Sequence, residues 1–238
     1  MKDTKADLAQ PDTARFIREN LRLEPVPSLP DIRLYCAHPG SGLWRLLESD
    51  ETDVSPPYWA YRWAGGMALA HHFAAHPEIV SGRRVLDLGA GSGLVGIAAA
   101  RVGASHVIAA EIDHHGQVAL ELNAAANAVR LQVARGDLLA GPPPAVDLVA
   151  VGDLYYAPEL AAKVTAFLDR CLLAGITVLI GDPGRVYLPR TRLRLVAEYP
   201  VPDMGDAAND KSKSSAVFTL LYLIEDSGRV APPHASSV

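Results

Sequence analysis

Short apolar runs alternate with longer stretches of helical length from residue 84 onward. The apolar runs predict five strands, at residues 84–88, 106–110, 131–134, 147–152 and 176–181. The stretches between them predict three helices, near residues 93–102, 114–127 and 158–173. Strands that alternate with helices are typical of an α/β fold with a doubly wound, mainly parallel sheet.

The pattern changes after residue 190, where two strand-like runs at 194–199 and 216–224 have only a polar loop between them. This pair predicts an antiparallel hairpin at the edge of a Rossmann-like sheet of seven strands. Upstream, we predict a helix at 13–23, a strand at 31–36 and a helix at 60–76. The expected organisation is an N-terminal α+β extension over 1–57, a main domain over 58–226 and a disordered tail over 227–238.

Composition and charge exclude several classes of protein. The formal net charge of −5 argues against a general nucleic-acid binder. No apolar window is long enough for a membrane span and no targeting segment is evident, so we expect a cytoplasmic protein that does not bind membranes. The 2 cysteines lie far apart in the sequence, which argues against a zinc site or a disulfide framework. We expect a monomer.

A glycine-rich turn with a carboxylate follows the first predicted core strand. Asp87 precedes Gly89, Gly91 and Gly93, and glycines let a backbone turn tightly and approach a ligand closely. A negative charge at this point would repel the pyrophosphate of a dinucleotide but suits a ligand that carries an ammonium group. S-adenosylmethionine is such a ligand, and its demethylated product is S-adenosylhomocysteine. The turn therefore predicts a methyltransferase.

Acidic residues also follow the next two predicted strands. Glu111 ends the second strand about 20 residues beyond the glycines, where an acidic side chain can bind both ribose hydroxyls. Asp113 is an alternative for this role, although it is better placed as a helix N-terminal acid. Asp137 follows the third strand and is expected to accept a hydrogen bond from the adenine amino group. Its alternative role is that of a turn aspartate.

A second motif, Asp-Leu-Tyr-Tyr at 153–156, resembles the acidic-x-x-aromatic signature of the seven-stranded methyltransferase family 16. The segments 57–66, 152–156 and 181–189 narrow the match. Together they resemble the bacterial form of the lysine methyltransferases that modify the β subunit of electron transfer flavoprotein. The resemblance implies a class I methyltransferase fold and S-adenosylmethionine-dependent methylation of lysine on a protein partner.

The chemistry of amine methylation suggests roles for the residues of this motif. Asp153 is expected to accept a hydrogen bond from the incoming amine, next to the cofactor, while Tyr155 and Tyr156 wall the pocket. Trp63 is expected beside the cofactor. The predicted substrate-binding residues are Arg185 and Tyr187. Positive charge from the four arginines between residues 185 and 194 would steer an acidic partner.

Three other functions remain open at this point. They are N-methylation of a small, nicotinamide-like molecule, methylation of a ribosomal protein and a non-catalytic role as a cofactor-binding partner. His72 and His76 have the spacing of a zinc-binding helix, but Phe73 stands where a hydrolytic glutamate would be needed. We therefore expect no metal cofactor.

Overall fold

The computed structural model describes residues 6–48, 56–201, 203 and 214–222. The central sheet has seven strands, which are β3 Arg84–Leu88, β4 His106–Glu111, β5 Gln132–Arg135, β6 Leu148–Gly152, β7 Thr177–Asp182, β8 Leu193–Tyr199 and β9 Ser215–Leu220. Their order in the sheet is β5-β4-β3-β6-β7-β9-β8. Neighbours among β3 to β7 are parallel, whereas β9 is antiparallel to both β7 and β8. The predicted fold class is confirmed.

Both faces of the sheet are covered by helices. The helices that follow the extension are α3 Ala64–Ala75, α4 Leu94–Arg101, α5 His114–Ala126 and α6 Pro158–Leu173. In β6, Leu148 and Ala150 face the core formed with α3 and α4, while Val149 and Val151 face the core formed with α6. A strand that is buried on both faces reads as a continuous apolar run, which is why these strands were visible in the sequence.

The N-terminal part contains helix α1 (Ala6–Asn20), an antiparallel pair of strands, β1 (Arg22–Val26) and β2 (Leu29–Cys36), and a short helix α2 (Trp44–Glu48). The side-chain amide oxygens of Asn127, which directly follows α5, and of Asn123 within α5 accept hydrogen bonds from the backbone N–H groups of Arg33 (2.9 Å) and Tyr35 (2.8 Å). These contacts hold the strand pair against the main domain.

Two predicted helices of the N-terminal half were wrong in part, and one helix was not predicted. The helix predicted at 13–23 ends at Asn20, because Arg22 and Leu23 pair with β2. The helix predicted from residue 60 begins at Ala64, after a 3₁₀ turn at Tyr58–Ala60, and α2 was not predicted. The tail at 227–238 lies outside the described residues. Within the ranges that the structure describes, no helix has both the length and the apolar character to cross a membrane.

Candidate active site

A cavity of about 670 Å³ opens at the carboxyl ends of the parallel strands. Ligands of open α/β sheets bind at this edge, where the chain reverses the direction in which it adds strands. In this sheet the reversal lies between β3 and β6. Among the described residues, five carboxylates and two cationic side chains border the cavity, namely Asp87, Glu111, Asp113, Asp137, Asp153, Lys163 and Arg185.

The glycine-rich turn forms the floor of this cavity. Gly89, Gly91 and Gly93 have φ angles of 68°, 52° and 81°, which side-chain-bearing residues rarely adopt. A Cβ added to Gly89 would lie 2.7 Å from Leu154 Cδ2. The turn therefore depends on glycine both for its backbone conformation and for its contact with the segment after β6.

Asp87 lies below this turn and is 1% exposed. Its Oδ2 atom accepts a hydrogen bond from the backbone N–H of Gly96 in α4, at 2.8 Å. Burial raises the pKa of this carboxyl group to about 7, although the Gly96 hydrogen bond acts in the opposite direction. Since no cationic side chain is bonded to it among the described residues, Asp87 can serve as the counter-charge of a bound ammonium group.

Glu111 stands at the end of β4 and joins two segments of the cavity wall. Its Oε2 accepts from the N–H of Gly91 at 2.7 Å, and its Oε1 accepts from the N–H of Asp113 at 2.9 Å. Burial raises the pKa of Glu111. The carboxylate of Asp113 instead caps α5, because its Oδ1 accepts from the N–H groups of His115 and Gly116. This geometry favours Glu111 over Asp113 as the ligand of a ribose.

Asp137 follows β5 at the exposed end of the cavity. Its Oδ1 accepts a hydrogen bond from the N–H of Leu139 at 2.8 Å, the geometry of an aspartate turn. The second carboxylate oxygen is left for a ligand. Both alternatives that the sequence left open for Asp137 are therefore compatible with this position.

Asp153 occupies the opposite end of the cavity, directly after β6. Its φ angle of 60° is unusual for a residue with a side chain, and such strain is often found at functional sites. Oδ2 accepts from the N–H of Gly66 at 2.9 Å, and Oδ1 accepts from Nε (3.2 Å) and Nη2 (2.7 Å) of Arg185. Burial raises the pKa of Asp153 to about 6, while the charge of Arg185 lowers it.

Close glycine contacts bring α3 to Asp153. A Cβ on Gly65 would lie 2.1 Å from the carbonyl oxygen of Gly181 and 2.6 Å from Asp153 Oδ2. A Cβ on Gly152 would lie 3.1 Å from the Cα of Gly66. The first turn of α3 therefore packs directly on the ends of β6 and β7, where the N–H of Gly66 donates to the Asp153 carboxylate.

Arg185 is held by several groups besides Asp153. Its guanidinium carbon lies 5.5 Å from the ring centroid of Trp63, and Nη2 lies 3.4 Å from Asp203 Oδ2. Tyr187, which was also predicted to bind substrate, is exposed and does not line the cavity. Of the four arginines that were predicted to steer an acidic partner, Arg192 is buried and bonded to Asp169.

A cluster of aromatic rings lines the same cavity as Asp153. Tyr156 and Tyr58 have ring centroids 5.3 Å apart, and Tyr58 and Trp63 are 5.7 Å apart. No role was predicted for Tyr58, although it lies in the segment 57–66. Tyr155 was predicted to wall the pocket, and this is wrong. Its side chain is fully buried in the α6 core, since consecutive residues after a strand point in different directions.

The residues of the cavity fit S-adenosylmethionine. Asp87 faces the glycine turn without a bonded cation, Glu111 keeps a carboxylate at the end of β4, and the excess of acids over bases suits a cationic ligand. A pyrophosphate would meet carboxylates at the same positions, which disfavours a dinucleotide. Among the described residues, no group of three or more His, Cys, Asp or Glu side chains is arranged to hold a metal ion.

Comparison with known proteins gives the same class of enzyme. The family profile "Ribosomal protein L11 methyltransferase (PrmA)" matches residues 74–150. The structure is similar to the solved structure of a proposed RNA methyltransferase from Pyrococcus horikoshii. The superposition has a TM-score of 0.53 at 16% identity and covers 75% of this chain and 96% of that one. This similarity supports the class I methyltransferase fold alone.

Full-length relatives identify the family more closely. The electron transfer flavoprotein beta subunit lysine methyltransferase of Rattus norvegicus is 34% identical over 210 residues, which is 85% of this chain and 82% of the relative. The enzyme of the same name from Danio rerio is 35% identical over 218 residues, covering 88% and 84%. The chain belongs to the family of electron transfer flavoprotein β subunit lysine methyltransferases.

Proposed function

We propose that this enzyme methylates the side-chain amine of lysine residues in the β subunit of electron transfer flavoprotein, with S-adenosylmethionine as methyl donor. The observation that carries the proposal is the position of Asp153. This carboxylate is buried at one end of a cavity whose other carboxylates suit a cationic nucleoside, and aromatic rings line the same cavity. Such a site can accept one extended amine from a partner protein.

The cofactor would be held by the acidic side chains that follow β3, β4 and β5. We assign Asp87 to the ammonium group, Glu111 to the ribose hydroxyls and Asp137 to the adenine amino group. When bound, S-adenosylmethionine supplies a methyl group on a positively charged sulfur. This methyl group is already activated, so the protein does not have to activate it further. Gly89, with its positive φ, allows the backbone to lie close to this ligand.

The protein must provide a neutral and correctly oriented amine. A free lysine has a pKa near 10.4, so neutralising it at pH 7 costs about 4.6 kcal/mol. An apolar wall lowers this cost because it disfavours the charged amine. The rings of Tyr58, Trp63 and Tyr156 form such a wall. Asp153 would accept a hydrogen bond from the amine, which orients the nitrogen lone pair.

The test uses purified electron transfer flavoprotein and S-adenosylmethionine labelled on the methyl group. We expect label on lysine residues of the β subunit, located by peptide mass, and about 10²–10³-fold slower labelling with the Asp153→Asn variant prepared in parallel. Incubation with host-cell extract provides the competing substrates. Label found only on a small metabolite, or only on a ribosomal protein, would contradict the proposal and support the corresponding alternative.

Several further expectations belong to the proposal. We propose a monomer that needs no metal and acts on a protein rather than on nucleic acid. Activity that persists in excess chelator, together with a monomeric mass in solution, is the expected result. Loss of activity in chelator and its return with a divalent cation would contradict the proposal that the enzyme needs no metal.

A further inference from the structure

We infer that Arg185 is a positioning residue that acts through Asp153 to favour the neutral form of the substrate lysine. The inference rests on the proposed function. It replaces the role that the sequence suggested for Arg185, direct contact with substrate. The guanidinium group of Arg185 is held by other residues of the protein on several sides.

The backbone of the Asp-Pro-Gly-Arg segment aims Arg185 at the site. Asp182 Oδ1 accepts hydrogen bonds from the N–H of Gly184 at 2.7 Å and from the N–H of Arg185 at 2.6 Å. This turn fixes the Cα of Arg185 at the end of β7. From there the side chain, which is 20% exposed, reaches Asp153 with two N–H donors.

Trp63 and Asp203 hold the guanidinium from its other sides. The ring of Trp63 lies against it at 5.5 Å, and Asp203 Oδ2 is 3.4 Å from Nη2. Asp203 Oδ1 also lies 3.4 Å from the N–H of Ala64 at the start of α3. A side chain held in this way has few directions left in which to meet a substrate, so its effect must pass through the carboxylate that it contacts.

The charges around Asp153 explain what that effect is. Within the described part of the chain, the charged groups that act on its carboxyl are Arg185 and Asp182, and Asp203 lies on the far side of the guanidinium. Burial lowers the pKa of Arg185, but the charges of Asp153, Asp203 and Asp182 outweigh this effect and raise it. Arg185 is therefore the cation that contacts the carboxylates of Asp153 and Asp203 and lies near that of Asp182.

Removing this cation would change which form of the substrate the site prefers. Without Arg185, the carboxylate of Asp153 would hold the lysine as an ammonium ion, which has no lone pair to donate. With Arg185 in place, much of that attraction is cancelled, and Asp153 can still accept one hydrogen bond from a neutral amine. Arg185 thus removes the conflict between binding lysine through a carboxylate and using it as a nucleophile.

The test is the pH dependence of methyl transfer to electron transfer flavoprotein in single turnovers. In Arg185→Met, an unneutralised carboxylate near the amine should move the acidic limb of the profile up by about 1–2 pH units. The rate at pH 7 should fall about 10–100-fold and recover as the pH rises. Arg185→Lys keeps the positive charge and should keep the limb of the wild type. Arg101→Met removes an exposed arginine at the end of α4, outside the cavity lining, and serves as the matched control with an unshifted profile.

Rescue provides a second measurement in case the methionine variant is misfolded. Methylguanidinium added to Arg185→Ala should restore the rate at pH 7 and return the limb to its original position. An equal loss at every pH, without rescue, would overturn the inference and leave Arg185 a purely structural role. If the wild type itself transfers no methyl group to lysine, the proposed function fails; if it does and only the variants disagree, this inference alone fails.

Discussion

The two ends of the cavity hold their carboxylates in different ways. At the cofactor end, Asp87 and Glu111 are bonded to backbone N–H groups that are 9, 20 and 2 residues away in sequence. At the transfer end, Asp153 is bonded to Gly66 and Arg185, which are 87 and 32 residues away. The cofactor end is built within one continuous segment that runs from β3 through α4 to the end of β4. The transfer end is instead assembled by tertiary packing.

This difference has a chemical purpose in the proposed reaction. Backbone dipoles fix a carboxylate without cancelling its charge, which leaves Asp87 and Glu111 able to meet a cationic nucleoside. A guanidinium group fixes Asp153 and also neutralises it, where the reaction needs an uncharged amine. The same residue type can therefore attract a cation at one end and accept a neutral donor at the other.

The largest expected effect comes from Asp153→Asn. The amide keeps the size of the side chain but removes the charge that pairs with Arg185 and replaces one of the two acceptor oxygens with an NH2 donor. We expect methyl transfer to fall about 10²–10³-fold, while the affinity for S-adenosylhomocysteine, measured by titration calorimetry, stays nearly unchanged. A parallel loss of both would mean that the two ends are not separable.

Gly65→Ala tests the packing that assembles the transfer end. Its Cβ would lie 2.1 Å from a carbonyl oxygen of β7, so we expect unfolding free energy to fall by about 3 kcal/mol or more. The neighbouring Gly66→Ala is the control, because its Cβ would meet only Val95 Cγ2 at 3.7 Å. Denaturant unfolding of the two variants measures the difference. Equal stabilities would show that α3 does not need this close contact.

Glu111→Gln should weaken the cofactor end alone. A neutral amide keeps one acceptor but loses the charge that strengthens hydrogen bonds to ribose, so we expect S-adenosylhomocysteine binding to weaken by about 1.5–3 kcal/mol. At saturating cofactor, the transfer rate should stay close to that of the wild type. A large loss of that rate with unchanged affinity would assign Glu111 to the reaction instead.

The smallest effect concerns the pH dependence at Asp87. Because the pKa of this carboxyl in the free protein is about 7, raising the pH from 6 to 8 converts most of it to the ionised form. Ionisation favours the ammonium group of S-adenosylhomocysteine, so affinity should increase by up to about tenfold over this range. The Asp87→Asn variant should lack this dependence. An affinity that falls with pH in the wild type would contradict the assignment.

The fold was largely predictable because its signal is local. The parallel strands are buried on both faces and appear as apolar runs, and the predicted bounds of α6 match the structure at both ends. The polar sites at the strand ends, Glu111 and Asp137, could be found because the carboxyl edge of such a sheet is known to bind ligands. In the N-terminal part, Arg22–Val26 was missed because its strand pairing is set by β2, which Asn123 and Asn127 in turn hold against the main domain.

The transfer end was only partly predictable. The motif at 153–156 pointed to Asp153, which lines the cavity, but which tyrosine faces the cavity depends on the strained backbone at residue 153. Likewise, the pairing of Arg185 with Asp153 is set by where two separate strands end, and a sequence pattern does not encode that distance directly. The glycine at 181 gave no signal of its contact with Gly65.

The most direct measurement is a crystal structure of the complex with S-adenosylhomocysteine. We expect the ribose hydroxyls to lie within about 2.6–3.0 Å of the Glu111 carboxylate. The ammonium group should point towards Asp87, and the sulfur should face the space between Asp153 and Tyr156. A nucleoside bound elsewhere, or one whose sulfur points away from Asp153, would contradict this prediction.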